Sequence, residues 1–175
     1  VLNSAFESGI RSPLDDAILE HGRPDVSAWR KLDEVPFDFD RRRVSVLVEP
    51  AGGGARLLVV KGAPEDILRI SSATATASGG TRPLDAAERT RLSAMFERIG
   101  ADGLRALGIA FREVGARQDH AALRDEDELI FAGFVTFVDP PKPDAAAAIR
   151  TLGEAGVAVK ILTGDNERVT RHVCA

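Results

Sequence analysis

The chain has 175 residues, of which 44% are hydrophobic, and this suits one complete hydrophobic core and part of a second. Its formal net charge of -4 argues against nucleic-acid binding, because its one dense basic run, at 41–43, lies beside acidic residues. A single cysteine excludes an internal disulfide and fits a reducing compartment, and the sequence shows neither a signal peptide nor an apolar stretch long enough to span a bilayer.

The first half of the chain predicts a hairpin with one helix before it and one helix after it. Residues 12–18 begin with serine, proline and a first-turn carboxylate, a typical helix start, and continue with apolar residues at helical spacing. The β-rich runs 44–49 and 56–61 flank the glycine-rich PAGGGA and predict a hairpin. A proline opens the next helix, predicted over 64–70. Residues 71–81 are small and polar, so we expect a loop there.

The second half predicts a long helix, two strands and then a helix followed by a strand. The long helix covers 84–101, where an apolar stripe recurs at helical spacing. The strands cover 104–114 and 128–138. A further helix is expected over 145–154, and VAVKIL, residues 157–162, reads as a buried strand. The pattern is again helical where the chain ends, which indicates a piece of a larger protein.

The character of the sequence changes at DPPKPD, residues 139–144. Its prolines cannot extend a strand ladder. Before it, helices mix irregularly with strands; after it, helix, strand and polar loop follow in the order typical of a doubly wound α/β sheet. We therefore expect two domains, 1–138 and 139–175, and expect the single strand of the second to expose apolar surface because it lacks sheet partners.

The familiar catalytic and metal-binding motifs are absent or incomplete. PAGGGARLL lacks the Gly-Lys-Ser/Thr of a phosphate-binding loop, so a hairpin loop is the better interpretation. DEDE, residues 125–128, lacks the glycine and the alternation of a calcium loop and reads as a solvated face. The three histidines are scattered without metal-ligand spacing, so we expect no metal site within the chain.

Three stretches allow either a structural or a functional interpretation. Phe37 and Phe39 point to the same side if this stretch of the chain is extended, and arginines follow directly. One interpretation is a strand edge with core aromatics and a salt-bridged rim. The other is an aromatic surface that stacks on a planar base, with nearby cations that bind phosphates. Lys61 is either a solvated strand-end lysine or a cation beside an anion-binding helix N-terminus. ILTGDN, residues 161–166, is either a phosphoryl or Mg²⁺ site or a tight turn.

Taken together and in order, five segments resemble the P-type cation-transporting ATPases. These are PFDFDRRRVSV, KGAPEDIL, DGLRALGIA, DPPK and LTGDN, and the resemblance covers nearly the whole chain. SPLDDAIL together with FDFDRRR is most similar to the bacterial magnesium-transporting branch. The resemblance implies an α+β fold, a twisted and mostly antiparallel sheet flanked by helices, which forms the nucleotide-binding domain. A fragment of an α/β, haloacid-dehalogenase-like phosphorylation domain would follow it.

The resemblance also implies which residues bind ATP. Phe37 corresponds to the aromatic residue that stacks on adenine. Lys61 corresponds to the lysine deep in the adenine pocket, with Gly62 and Ala63 completing the wall. Arg105 corresponds to the arginine that reaches the phosphates.

Further positions follow from the same resemblance. Arg42 falls where a second cation lies near the nucleotide. Asp15 falls where many relatives carry a glutamate that contacts the adenine amine, although its side chain is shorter. Asp139 would lie at the hinge into the phosphorylation domain. The loop beside the phosphoryl group and Mg²⁺ corresponds to Thr163, Gly164 and Asp165.

The resemblance implies ATP as the cofactor, with Mg²⁺ in the full-length enzyme. The chain contains neither the Asp-Lys-Thr-Gly-Thr motif of the phosphorylated aspartate nor Gly-Asp-Gly-x-Asn-Asp, so we expect nucleotide binding without turnover. Since phosphate contacts would be few, we expect this binding to be weak and mainly base-driven. The implied partners are the nucleotide and the phosphorylation, actuator and transmembrane domains of the parent. No nucleic-acid or direct membrane contact is expected of this part, a cytoplasmic domain of an integral inner- or plasma-membrane protein.

Two other functions remain open from the residues alone. One is a soluble haloacid-dehalogenase-like phosphatase, suggested by the LTGDN loop. Such an enzyme needs an Asp-x-Asp nucleophile after an apolar run, whereas Asp38 and Asp40 lie in a Pro-Phe segment. The other is a non-catalytic interaction module, in which Phe37 and the arginines bind another protein.

Overall fold

The computed structural model of the chain describes residues 1–9, 12–22, 25–138, 144–162 and 170–171. The helices in these residues are α1 (Leu2–Phe6), α2 (Pro13–Gly22), α3 (Pro64–Arg69), α4 (Ala86–Ala101) and α5 (Ala145–Glu154). The strands are β1 (Trp29–Asp38), β2 (Arg43–Pro50), β3 (Arg56–Gly62), β4 (Ser71–Ala75), β5 (Thr81–Pro83), β6 (Leu104–Val114) and β7 (Leu129–Val138).

The strands form one sheet in the order β1-β2-β3-β6-β7-β4-β5. Neighbouring strands are antiparallel except β4 and β7, which pair in parallel. This confirms the α+β class with a mostly antiparallel sheet, the β2–β3 hairpin and the two later strands. Pro36 lies in β1, an edge strand, where the missing backbone donor breaks no central ladder.

The sheet carries helices on both faces. On one face a valine cluster packs against residues of α1 and their neighbours: Val46, Val48 and Val59 with Leu2, Phe6, Trp29, Leu57 and Phe111. On the other face the main core joins strands to α3 and α4: Leu47, Leu58, Val60, Ile67, Leu68, Ile70, Leu84, Leu92, Ala110, Leu129 and Phe131. Since side chains alternate along a strand, Lys61 shares the face of Val59 and lies under α1.

The helix starts follow from local chemistry. At α2 the Ser12 hydroxyl accepts a hydrogen bond from the Asp15 N–H at 3.3 Å, which confirms the predicted cap. At α3 Pro64 occupies the first turn as expected. At α4 the Asp85 carboxylate accepts from the Glu88 N–H at 2.8 Å, and Leu92 points into the core. α5 begins and ends where the sequence predicts.

Three sequence expectations are wrong in whole or in part. Residues 71–81 are a loop only over 76–80, because 71–75 form β4, which pairs in parallel with β7, and β5 begins at Thr81 and closes a hairpin with β4. Residues 157–162 are not a buried strand: Leu162 is 97% exposed and the segment pairs with no other described strand. The expected exposure of apolar surface there is confirmed. In 125–128, predicted to be a solvated face, Asp127 and Glu128 are exposed as predicted, but Glu126 is only 2% exposed and two arginines bind its carboxylate.

The division at Val138 stays a prediction. β7 ends at that residue, and 139–143 lie outside the described residues. Residues 144–162 contain one helix and no strand, so the haloacid-dehalogenase-like part of the expected fold also stays a prediction. Among the described residues no helix combines the length and the apolar character needed to cross a bilayer.

Candidate functional site

Two adjoining cavities open where the end of β1, the end of β3 and the start of α2 meet. Their volumes are about 590 Å³ and about 660 Å³, each within the usual range of small-molecule sites. The residues that line both cavities are Leu14, Phe37, Phe39, Arg42, Ala63 and Leu107. The smaller cavity adds Asp15, Lys61 and Gly62, and the larger one adds Arg105. The seven predicted nucleotide residues therefore surround one continuous depression.

Lys61 lies at the floor of the smaller cavity and is 6% exposed. Its ammonium donates to Glu7 Oε2 at 2.8 Å, to Asp15 Oδ1, and more weakly to the Ser4 hydroxyl at 3.4 Å. The Ser12 hydroxyl donates to the other Asp15 oxygen at 2.7 Å, so the helix cap also orients the carboxylate. The interpretation of Lys61 as a solvated strand-end lysine is wrong.

The pKa values of the two carboxylates around Lys61 are shifted in opposite directions. Burial raises the pKa of Asp15, but hydrogen bonds from Lys61, Ser4 and Ser12 outweigh it and lower this pKa to about 2. Burial also raises the pKa of Glu7, and there the hydrogen bond from Lys61 does not compensate. Because the ionised Asp15 alone balances the ammonium, this end of the site carries no net positive charge at neutral pH. It therefore disfavours phosphates and favours a ligand edge that donates hydrogen bonds.

An aromatic pair forms the outer wall of the depression. Phe37 is 54% exposed and Phe39 is 88% exposed, and their ring centroids lie 5.2 Å apart with an interplanar angle of 85°. The interpretation of these rings as core aromatics is wrong, although the salt-bridged rim beside them is present. An exposed ring on a concave wall is suited to stack on a planar ligand.

Gly62 has a packing role in addition to lining the cavity. A Cβ added there would lie 2.5 Å from the Arg42 carbonyl oxygen and 2.5 Å from Arg43 Cβ. The same Arg42 carbonyl accepts a hydrogen bond from the Ala63 N–H at 3.0 Å. The β1–β2 turn thus presses directly on the end of β3, and a glycine is required there by the chain's own backbone.

The two predicted phosphate cations occupy different positions. Arg42 is in the left-handed region, with φ of 50°, and its side chain forms an ion pair with Asp66 of α3 at 2.7 Å. Arg105 lies near the start of β6 and lines only the larger cavity, together with Phe96 and Phe137. Arg105 therefore brings a cation to the end of the depression away from Lys61, where Glu65 also lines the larger cavity.

Sequence reasoning missed several contributors. Glu7 follows a short helix that no pattern predicted, and its isolated carboxylate carries no motif. Leu14 and Leu107 are ordinary apolar residues whose position in the site depends on tertiary structure. Gly108 allows α3 to approach β6, because a Cβ there would lie 3.0 Å from Ile67 Cβ.

Four further predicted positions belong to the hinge and to the phosphorylation domain. Asp139 and the loop formed by Thr163, Gly164 and Asp165 lie outside the described residues. Within the described ranges, no group of three or more histidine, cysteine or acidic side chains is arranged to hold a metal ion.

Comparison with known proteins identifies the family. The profile described as P-type ATPase, cytoplasmic domain N, matches residues 12–144, which is most of the chain. The chain belongs to the P-type ATPases. The resemblance seen in the sequence is therefore confirmed, and the matched P-type ATPase region contains all seven predicted nucleotide residues.

Individual P-type ATPases match at substantial identity. The "Magnesium-transporting ATPase, P-type 1" of Salmonella typhimurium LT2 is 45% identical over 182 residues, and that of Escherichia coli K12 is 38% identical over 178 residues. Each alignment covers 99% of this chain and 20% of the relative. The "Calcium-transporting ATPase 4, endoplasmic reticulum-type" of Arabidopsis thaliana is 31% identical, over 83% of this chain and 16% of the relative. The chain thus spans a fifth or less of these relatives' length.

Proposed function

We propose that this chain is the ATP-binding part of a magnesium-transporting P-type ATPase. The observation that carries the proposal is the depression in which an exposed aromatic wall, Phe37, faces a buried and internally paired Lys61. The adenine ring occupies the space between them. The phosphates extend toward Arg105.

The charge distribution supports an orientation of ATP in which the base, rather than the phosphates, lies next to Lys61. ATP carries several negative charges on its phosphates, and the Lys61 end offers them no net positive charge, because Asp15 alone balances the ammonium. Adenine is uncharged and presents an amine donor beside ring-nitrogen acceptors. The carboxylates can accept from the amine, and the ammonium can donate to a ring nitrogen by giving up its weak 3.4 Å contact with Ser4. A base edge therefore meets the hydrogen-bonding groups at this end, whereas a phosphate would meet two carboxylates.

In the parent protein, this domain holds ATP and presents its γ-phosphate to a separate phosphorylation domain. Phosphoryl transfer depends mainly on positioning and charge stabilisation, and Mg²⁺ bound with the nucleotide supplies part of that charge. The chain contains no Asp-Lys-Thr-Gly-Thr motif, so it binds nucleotide without hydrolysing it. The parent is an ATP hydrolase of a membrane, this chain is one of its cytoplasmic parts, and magnesium as the transported ion is proposed from the names of the similar bacterial proteins.

A titration of the 175-residue chain with ATP, AMP and tripolyphosphate, followed by amide NMR, tests the proposal. ATP should shift signals around Phe37, Lys61 and Arg105, and AMP should shift the first two more than the third. Tripolyphosphate alone should bind far more weakly than ATP. The site hypothesis fails if saturating ATP perturbs none of the three positions, and the base-driven orientation fails if tripolyphosphate binds as well as ATP.

The variant Phe37→Ala tests the stacking role. Base stacking on an aromatic side chain is worth about 1–3 kcal/mol, so AMP affinity should fall by roughly 5- to 150-fold. The matched control is Leu123→Ala, which truncates another exposed apolar side chain that lines neither cavity. Equal affinities for both variants would contradict the proposal.

A further inference from the structure

Glu126 is a buried carboxylate that lies just before β7 and lines neither cavity. Both of its oxygens accept from Arg41 Nη1 at 2.7 Å. One oxygen also accepts from Arg43 Nε at 2.7 Å, and the other from the Ser45 hydroxyl at 2.6 Å. Charge-assisted hydrogen bonds of this kind, in which one carboxylate accepts from several donors, fix the positions of the donor side chains as well as stabilising the fold.

The partners of Glu126 hold residues 36–43, which comprise the end of β1, the turn that follows it and the first residue of β2, and which we call the aromatic turn. Arg41 also donates through Nη2 to the Pro36 carbonyl at 2.6 Å, at the start of the turn. Arg43 donates through Nη1 to the Arg41 carbonyl at 3.2 Å, at its end. The two arginines thus connect both ends of the aromatic turn to one carboxylate from a distant part of the chain.

The last part of this turn is also held by Arg42, whose side chain pairs with Asp66 and whose carbonyl accepts from the Ala63 N–H, but the tip that carries Phe37 and Phe39 has few other contacts. All five residues from 36 to 40 are exposed, so core packing does not hold them. The register between β1 and β2 shifts between Val35 and Asp38, so the strand ladder does not set the position of Phe37. Asp38 Oδ1 accepts from the backbone N–H groups of Asp40 and Arg41, which shapes the tip without attaching it to the sheet.

We propose that Glu126 is a positioning residue that sets the orientation of the aromatic turn, and through it presents Phe37 and Phe39 to the cavities. It acts through Arg41 and Arg43 and makes no contact with the ligand. Its effect on nucleotide affinity rests on the proposed function. Its effect on the turn does not, and can be measured without ligand.

The first experiment uses ligand-free protein and the variant Glu126→Gln, which keeps the side-chain size and removes the charge. Nuclear Overhauser contacts between the rings of Phe37 and Phe39 should be lost, and amide signals over 36–43 should shift, while those of β6 stay in place. The matched control is Glu88→Gln, because Glu88 is 8% exposed, also bridges two arginines, and lies on α4 away from both cavities. Persistence of the ring contacts in folded Glu126→Gln would overturn the proposal.

The second experiment measures AMP affinity in a double-variant cycle. Glu126→Gln should weaken AMP binding about tenfold, because an unpositioned ring loses most of the energy of stacking. In a Phe37→Ala background the same substitution should cause no further loss, since Glu126 acts through that ring. An equal loss in both backgrounds would show a general structural effect and overturn the proposal.

Arg41→Lys provides a second variant should Glu126→Gln fail to fold. It keeps the positive charge but removes the two-pronged contact with Glu126 and Pro36, and Arg41 is partly exposed. The same loss of ring contacts is expected, and unchanged contacts would refute the proposal. If wild-type protein binds no AMP while the variants still lose the ring contacts, the proposed function fails and the positioning role stands.

Discussion

Replacing Lys61 with methionine should destabilise the domain through the charges left behind. Methionine nearly matches the lysine stem in size, so the packing of β3 against α1 is kept. The carboxylates of Glu7 and Asp15 then lose the ammonium on which both depend. Removing one partner of a buried ion pair is far more costly than replacing the whole pair by neutral groups.

The pKa values set the scale of the effect. Burial already raises the pKa of Glu7 above its ordinary value of 4.5, and the variant removes the Lys61 hydrogen bond that opposes this rise. Asp15 keeps the hydroxyl of Ser12 but also loses its hydrogen bond from Lys61. Protonating a carboxyl group of pKa 4.5 costs about 3 kcal/mol at pH 7 and about 0.7 kcal/mol at pH 5. Glu7 should therefore contribute up to about 3 kcal/mol to the loss of unfolding free energy at pH 7, Asp15 should add to this loss, and the Glu7 part should shrink as the pH falls to 5.

Urea unfolding at pH 7 and pH 5 measures the loss of unfolding free energy. The transition is monitored by circular dichroism and by the fluorescence of Trp29, the single tryptophan. The matched control combines Lys61→Met with Glu7→Gln and Asp15→Asn, which removes all three charges. It should recover most of the stability that the single variant loses. The reasoning is refuted if the single variant is as stable as wild type at pH 7, or if the triple variant is no more stable than the single one.

Two other perturbations test neighbouring features. Gly62→Ala should cost about 1–3 kcal/mol of unfolding free energy, because the new Cβ would meet the Arg42 carbonyl, whereas Gly52→Ala has open space and should be nearly neutral in urea unfolding. The pKa of Asp15 is lowered from 3.8 to about 2, so its ionisation stabilises the fold above its unfolded pKa and this is lost as the pH falls toward 2. In acid titrations followed by circular dichroism, Asp15→Asn should reduce the loss between pH 4 and pH 2, and Asp16→Asn, on the exposed side of α2, should not.

Local chemistry predicted the helices after α1 and the central strands well. A serine cap, a proline at the first helical turn and β-branched runs act over a few residues, and α2, α3, β2 and β3 follow them. β4 could not be predicted in this way. Its small polar residues have little intrinsic preference, and they become a strand because β7, more than fifty residues later, offers a parallel edge.

The residues of the site also divide into those that the sequence could reveal and those that depend on tertiary structure. Phe37, Lys61 and Arg105 could be proposed from motifs, since a family resemblance carries information about distant partners that local patterns lack. Glu7 and Glu126 could not, because a single carboxylate among many carries no signal until the fold brings it against a lysine or an arginine pair. Buried ion pairs of this kind depend on tertiary contacts for their existence.

The order of lysine and glycine in KGAPEDIL has a physical explanation. In a phosphate-binding loop the glycines precede the lysine, so that backbone N–H groups and the ammonium meet the same anion. Here the lysine ends a strand and points under α1, where two carboxylates neutralise it, while Gly62 accommodates the aromatic turn. A lysine so neutralised contributes directed hydrogen bonds rather than net charge. That property suits recognition of an uncharged base, and it leaves the attraction of phosphates to the arginine-bearing end of the depression.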